Sequence, residues 1–298
     1  MTSPDVDLLD TRRLHQFVVA VESETLSAAA QQLFLTQQAL SASIRQLERE
    51  VDVTLFDRSR RKLHLTDAGN TLYAGARALL AGNTSLLTEV RESARGIVRP
   101  FVVGHSPAIS GEEVYHLIAP AIASMPHQPI TARQVFPGQL QELLFANEID
   151  VALRRGVDSP ANLTSAVFAY HELRIAVVAD HLLAHRRSIT ARDLADTPIV
   201  VWAPERKSFY TDFLISYCRR AGFEPTLVVN QIQGTPPFTA VRRYPEACAF
   251  VTDVPGDLQG GTVRVLAFDE PPLAPVQAMW LPHTHSAVRD AIVSGGGG

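Results

Sequence analysis

The stretch that most constrains this chain runs from Ser27 to Gly69: SAAAQQLFLTQQALSASIRQLEREVDVTLFDRSRRKLHLTDAG. Upstream, Leu14, Phe17, Val18 and Val21 recur at helical spacing and predict an amphipathic first helix over 13–23. A second, short helix is expected over 27–33, where the small Ala29 and Ala30 suit a close helix crossing. Phe34 and Leu35 are expected to bury at the turn. Thr36 then caps a third helix over 37–51, its hydroxyl accepting a free backbone N–H.

That third helix has two faces. Ala39, Leu40, Ile44 and Leu47 are expected inside. Thr36, Gln37, Gln38, Ser41 and Arg45 line another face near its start. Gln can read adenine through paired hydrogen bonds, Arg can read guanine, and Ser can hold a phosphate. The same set would suit an ordinary solvated face, and this segment alone leaves the two readings level. The hairpin that follows favours DNA. Leu55-Phe56-Asp57 and Leu63-His64-Leu65 flank a tip containing Arg58, Arg60, Arg61 and Lys62, which suits contact with phosphates. Thr66 and Asp67 then open another helix.

These residues resemble the N-terminal winged helix-turn-helix of the LysR-type transcriptional regulators. The matching positions are Ala29-Ala30, Thr36-Gln37, Ala39-Leu40-Ser41, Ile44, Leu47-Glu48, Leu55-Phe56, Arg58 and Leu65-Thr66-Asp67-Ala68-Gly69. Three positions depart: Gln38 stands where the family usually has Pro or Ser, Ala42 where a basic or polar residue is common, and Asp52 where Gly usually ends the helix. Asp tolerates the left-handed conformation such an ending needs. The resemblance implies a DNA-binding domain over 8–69, with the helix-turn-helix at about 28–47, and double-stranded DNA as partner.

Residues 70–95 read as a linker helix. Leu72, Ala76, Leu79, Asn83, Leu86 and Val90 form a heptad seam with Asn83 at an a position. Gly75 and Gly82 would let a partner helix approach closely. A helix packed on its own domain is the alternative. A homodimer or homotetramer is favoured, and the resemblance implies it too.

After Arg99-Pro100, strand-like runs alternate with helical ones, as in an α/β domain with largely parallel sheets. The stretches FVVGHSP, LLFANEIDVAL and DHLLAHRRSITARDLADTPIVV resemble the effector domain of the same regulators. Its fold resembles type 2 periplasmic binding proteins: two α/β lobes joined by two crossover strands. The expected limits are 99–298, with lobe I at 99–163 and 269–293 and lobe II at 164–268. A small-molecule effector is expected between them. Ser106 with the backbone around Pro107, Ala108 and Ile109 makes a candidate acceptor-binding loop on one side, Ala108 and Ile109 supplying the N–H groups. Trp202, Gln231, Gln233 and Thr252 end apparent strands on the other. Tyr244-Pro245-Glu246-Ala247-Cys248 stands where the family has a glycine-rich turn.

Bulk properties narrow the alternatives. With 298 residues and a net charge of −4, the chain has room for two or three domains, and any nucleic-acid site must be local. Cys218 and Cys248 are the only cysteines, which fits a reducing compartment. Arg219 and Arg220 beside Cys218 raise the prospect of a redox switch, against the blander reading of two packing thiols. The N-terminus has no signal-peptide core, and no apolar run suits a membrane span, so a soluble cytoplasmic protein is expected. Nucleotide loops and a G-x-S-x-G elbow are absent, and the H-x-H at His283 and His285 is usually surface decoration, so neither enzyme nor cofactor nor metal is expected. The rival reading is a solute-binding or catalytic α/β protein without specific DNA binding.

Overall fold

The computed structural model describes residues 8–57, 64–158, 160, 162–232 and 234–295. The chain divides into two compact units near residue 91.

The first unit opens with α1 (Thr11–Glu22), capped by the Asp10 carboxylate, then α2 (Leu26–Gln32) and α3 (Gln37–Glu50). A hairpin of β1 (Phe56–Asp57) and β2 (His64–Leu65) follows, then the long α4 (Asp67–Ala94). Leu14, Phe17, Ala29, Leu40, Leu47 and Leu55 form the centre of its core. The close crossing expected at Ala29 and Ala30 is present, since both are buried. Gly69 has a specific reason to be glycine: a Cβ there would lie 2.2 Å from the Leu55 carbonyl oxygen, so α4 starts against the strand with no room for a side chain.

Two turn positions differ from expectation. Phe34 is 97% exposed and adopts φ +55°, so the turn projects its ring outward; Leu35 alone turns inward, and only partly. Ala39 is also exposed rather than inward. Asp52 does take the left-handed conformation, φ +51°, and the Val53 N–H reaches back to the Glu48 carbonyl at 3.1 Å, closing α3 with a Schellman motif.

The second unit contains two sheets. The first lobe comprises β3 (Phe101–His105), α5 (Gly111–Ser124), β4 (Ile130–Gln134), α6 (Leu140–Phe145), β5 (Val151–Arg155) and β6 (Thr164–Glu172). The second lobe runs through β7 (Arg174–Val178), β8 (Ser188–Ile189), β9 (Ile199–Val201), α7 (Phe209–Arg220), β10 (Leu227–Val229), β11 (Cys248–Val251), β12 (Gly256–Leu258) and β13 (Val263–Phe268). The chain then returns through β14 (Leu273–Trp280) and α8 (Ala287–Gly295) to the first lobe.

The first sheet has the order β4-β3-β5-β14-β6 and the second β10-β9-β11-β7-β13-β12, with β8 beside β13. Neither is largely parallel. Strands β3, β4 and β5 are parallel, but β14 runs antiparallel to both β5 and β6. The reason lies in the crossovers: the outgoing β6 and the returning β14 pair with each other along their length. This also moves a boundary. Residues 164–172, expected to begin lobe II, belong to the first sheet, and the outward crossing falls at Leu173.

Candidate functional site

Two places carry functional chemistry, one in each unit. In the first, Thr36 caps α3 by accepting the Ala39 N–H at 3.1 Å. Leu40, Ile44 and Leu47 are buried, while Gln37, Gln38 and Arg45 are exposed and Ser41 is half-buried. Exposed polar and buried apolar groups thus occupy adjoining stripes of one helix. Gln37 accepts a hydrogen bond from the Ser27 hydroxyl at 3.1 Å, which steadies its amide at the helix start.

Glu48 is a residue whose role the sequence did not disclose. It is buried, and its Oε1 accepts the Leu55 N–H at 2.9 Å, tying the end of α3 to the start of the hairpin. Its only sequence signal is a carboxylate next to Leu47 on a face that must bury. The basic tip, Arg58, Arg60, Arg61 and Lys62, lies outside the described residues.

The seam on α4 divides in two. Ala76 is buried, and Leu72 packs against the core of its own unit. Leu79, Leu86 and Val90 are exposed, as are Asn83 and the neighbouring Leu87. A Cβ at Gly75 or Gly82 would meet open space. The first half of the helix thus packs on its own unit, while the second half leaves its apolar positions exposed.

In the second unit, a cavity of about 180 Å³ opens between the lobes. Ser106, Ala108 and Trp202 line it, together with Arg154, Arg155, Phe209 and Tyr210. Ser106, Ala108 and Trp202 were expected there. Pro107 is buried beside them. Ile109 instead faces the first-lobe core, and its N–H is spent on the Ser106 carbonyl at 3.0 Å, so it offers no donor. Gln231 is exposed away from the cavity, and Gln233 lies outside the described residues. Thr252 lines a separate depression with Glu112, Glu113, His171 and Asp253. Ile109, Gln231 and Thr252 fall off the cavity because a strand end fixes only approximate position, whereas cavity lining depends on where the next turn goes.

The sequence missed Arg155, Glu113 and Tyr210. Arg155 is the largest fully buried side chain among the described residues. Its Nε donates to the Ala108 carbonyl at 2.9 Å, and its Nη2 pairs with Glu113 Oε1. Glu113 is also the closing residue of the Ser110 capping box, and the same Oε1 lies 2.9 Å from His171 Nδ1 on β6. Burial alone would push the Glu113 carboxyl up, but His171, Arg155 and the Ser110 N–H outweigh it and hold it at about 2. The signal was present in IDVALRRG, where two consecutive arginines end an apolar strand, so that at least one must face the interior.

Three buried polar atoms on this cavity have no hydrogen-bond partner among the described residues: Ser106 Oγ, Arg155 Nη1 and the Tyr210 hydroxyl. Burial pushes the Tyr210 phenol well up, so it remains a donor. Nearby, Arg154 donates to Gln277 Oε1 at 2.8 Å and lies 4.6 Å over the Phe209 ring. Gly156, at φ +88°, allows this closeness, since a Cβ would come within 2.8 Å of the Phe209 backbone.

The two cysteines do not make a reactive site. Both are fully buried, and desolvation pushes Cys218 up to about 11 and Cys248 higher still, which keeps them as thiols.

Comparison with known proteins agrees with this division. Residues 11–70 match the profile of the bacterial regulatory helix-turn-helix protein, lysR family, and residues 94–292 match the LysR substrate binding domain. The transcriptional regulator AlsR of Bacillus subtilis is 30% identical over 225 residues, covering 74% of this chain and 73% of that protein. BudR of Raoultella terrigena is 28% identical, covering 72% of this chain and 75% of its own. Among solved structures, full-length CbnR with its target DNA shares the fold at a TM-score of 0.55 and 20% identity, covering 97% and 99% of the two chains. Full-length OxyR from Pseudomonas aeruginosa does so at 0.56 and 19%, covering 97% and 98%. With both of its units matched in order, the chain belongs to the LysR family of DNA-binding transcriptional regulators.

Proposed function

We propose that this regulator reads its operator through the exposed start of α3 and that a small molecule in the inter-lobe cavity sets its response. The carrying observation is the polar exposed stripe at the start of α3: Gln37, Gln38 and Arg45 are exposed alongside the buried Leu40, Ile44, Leu47 and Glu48. Gln37, Gln38 and Arg45 take the base edges, Thr36 and Ser41 the sugar-phosphate, and Arg58, Arg60, Arg61 and Lys62 the phosphates. The exposed half of the seam, Leu79, Asn83, Leu86 and Val90, joins two copies, with a homotetramer as the expected assembly. The working limits are 8–69 for the DNA-binding domain, 70–95 for the linker and 99–298 for the effector domain.

Within the effector domain, Ser106, Ala108 and Trp202 contact the ligand, and Arg155 and Tyr210 join them. Ligand binding shifts the population between lobe arrangements. The family is one of regulators rather than enzymes, and the proposed setting is the cytoplasm, with no cofactor. No helix among the described residues is long and apolar enough to cross a membrane.

The test is a mobility-shift and footprinting series on DNA upstream of the native locus. Arg58→Ala is expected to weaken binding to all sequences and reduce the salt slope by about one unit. Wild-type footprints from both Arg58→Ala and Gln37→Ala would overturn the docking mode.

A further inference from the structure

We propose that Ser27 is a positioning residue for sequence recognition: it holds the Gln37 amide with its oxygen turned toward α2, so that Gln37 presents Nε2 to the operator and selects guanine. This rests on reading α3 as the DNA-contacting helix and names the base that one of its positions takes. The observation is a bridge between two helix starts. Ser27, the second residue of α2, donates its hydroxyl to Oε1 of Gln37, the first residue of α3, at 3.1 Å. Packing brings the two within reach. Ala29 and Ala30 are buried in the core that α2 and α3 share, and small side chains there let the helices approach closely. The Leu35 N–H returns to the Ala30 carbonyl at 2.8 Å, which closes a tight turn between them.

Ser27 is not needed to cap either helix. Thr25 caps α2 by accepting the Ala28 N–H at 3.1 Å, and Thr36 caps α3 by accepting the Ala39 N–H at 3.1 Å. The single hydroxyl proton of Ser27 goes to Gln37 instead. Gln37 differs in this from its exposed neighbours on α3, since Gln38 and Arg45 make no side-chain hydrogen bond among the described residues. A free glutamine can turn its amide over, exchanging donor for acceptor, and it loses rotamer entropy when it binds. A glutamine held by a neighbour meets the DNA with its orientation already chosen.

That orientation decides which base fits. A paired contact to adenine needs Oε1 to accept from N6 while Nε2 donates to N7. With Oε1 turned to Ser27, the free end of the amide is Nε2, which can only donate. Guanine alone presents two acceptors on its major-groove edge, N7 and O6; adenine presents one acceptor beside a donor, and cytosine a donor. Guanine is therefore the best match, adenine follows through N7 alone, and cytosine is rejected. A change at Ser27 alters this order without replacing any group assigned to the DNA contact.

The experiment selects binding sites from a random duplex library with the full-length protein as wild type, Gln37→Ala, Ser27→Ala and Ser27→Thr. The position whose preference is lost in Gln37→Ala is the one Gln37 reads. Wild type is expected to favour guanine over adenine there by about tenfold, within the range of one good base contact. Replacing that guanine by 7-deazaguanine, which lacks N7, is expected to weaken binding about fivefold, as for one hydrogen bond. Ser27→Ala frees the amide to turn, so adenine is expected to rise to parity with guanine. Ser27→Thr keeps the hydroxyl and is expected to restore the preference. Ser27 is exposed, so both variants are expected to fold as wild type does. An unchanged guanine preference in Ser27→Ala, a wild-type preference for adenine or cytosine, no effect of 7-deazaguanine, or a uniform weakening of Ser27→Ala on every sequence overturns the proposal. A Gln37→Ala variant that selects the same sites as wild type sinks the docking mode itself. A Gln37-dependent position indifferent to Ser27 sinks this proposal alone.

Discussion

The α3 region and the inter-lobe cavity are built on opposite plans. The proposed reading face takes Thr36, Gln37, Gln38, Ser41 and Arg45 from within ten consecutive positions, and one helix period places them together. The cavity gathers Ser106, Arg155, Trp202 and Tyr210 from four separate elements and two lobes. The first site is fixed by local geometry and the second by topology. A site of the first kind survives changes elsewhere in the chain; one of the second kind depends on every crossing that brings its walls together.

The sharpest way to break that contrast is Glu113→Ala. It strips Arg155 of its counter-charge inside the first lobe, and an uncompensated buried charge costs about 3–5 kcal/mol. Thermal unfolding is expected to show the second unit destabilised while the first unit melts as in wild type. Loss of both transitions together would mean the two units are one cooperative body. The mirror experiment is Gly69→Ala, which forces a Cβ against the Leu55 carbonyl. It is expected to destabilise the first unit by about 3 kcal/mol and to leave ligand titration of the second unchanged.

Acid provides a milder probe of the same asymmetry. The Glu113 carboxyl is held at about 2 in the folded chain, against an ordinary value of 4.5. A carboxyl depressed by folding stabilises the protein above its unfolded pKa, and that contribution fades as pH falls toward the folded one. The second unit is therefore expected to lose on the order of 1–3 kcal/mol between about pH 4.5 and 2, followed by circular dichroism. In Glu113→Gln that segment of the pH profile should flatten.

Gln37→Ala tests the reading face itself. It is expected to lose about 1–3 kcal/mol of base discrimination while changing stability by less than about 0.5 kcal/mol, measured by competition footprinting and by denaturation. The smallest effect is reserved for Phe34→Gly. Phe34 holds φ +55° with its ring in solvent, so glycine is expected to gain about 1 kcal/mol. An unchanged or lower melting temperature would mean that the ring is held by something other than the first unit's own core.

How far the sequence was readable follows the same division. The helix-turn-helix, the Thr36 and Thr66 caps and the Ser110 capping box are statements about neighbours three or four residues apart, and the structure contains each. Asp52 ends α3 as a left-handed residue for the same local reason. Phe34 was misjudged because hydrophobicity argues for burial, while the turn's backbone decides where the side chain points. In the second unit, Ser106 and Trp202 were found from strand ends, but Arg155 and Tyr210 were not. Nothing within a few residues of either discloses that they share a cavity. The β6 strand was assigned to the wrong lobe because its partner, β14, lies more than a hundred residues away.

Glu48 gives the regulator room to change its targets. Its buried carboxylate fastens α3 to the hairpin, while positions 37, 38 and 45 are exposed. Selection can therefore rewrite positions 37, 38, 41 and 45 without first securing a compensating change in the scaffold. A library randomised at those four positions should stay largely folded, so duplicated copies of such a gene can diverge toward new operators in single steps. Positions 47 and 48, buried and tied to the hairpin, allow no such drift.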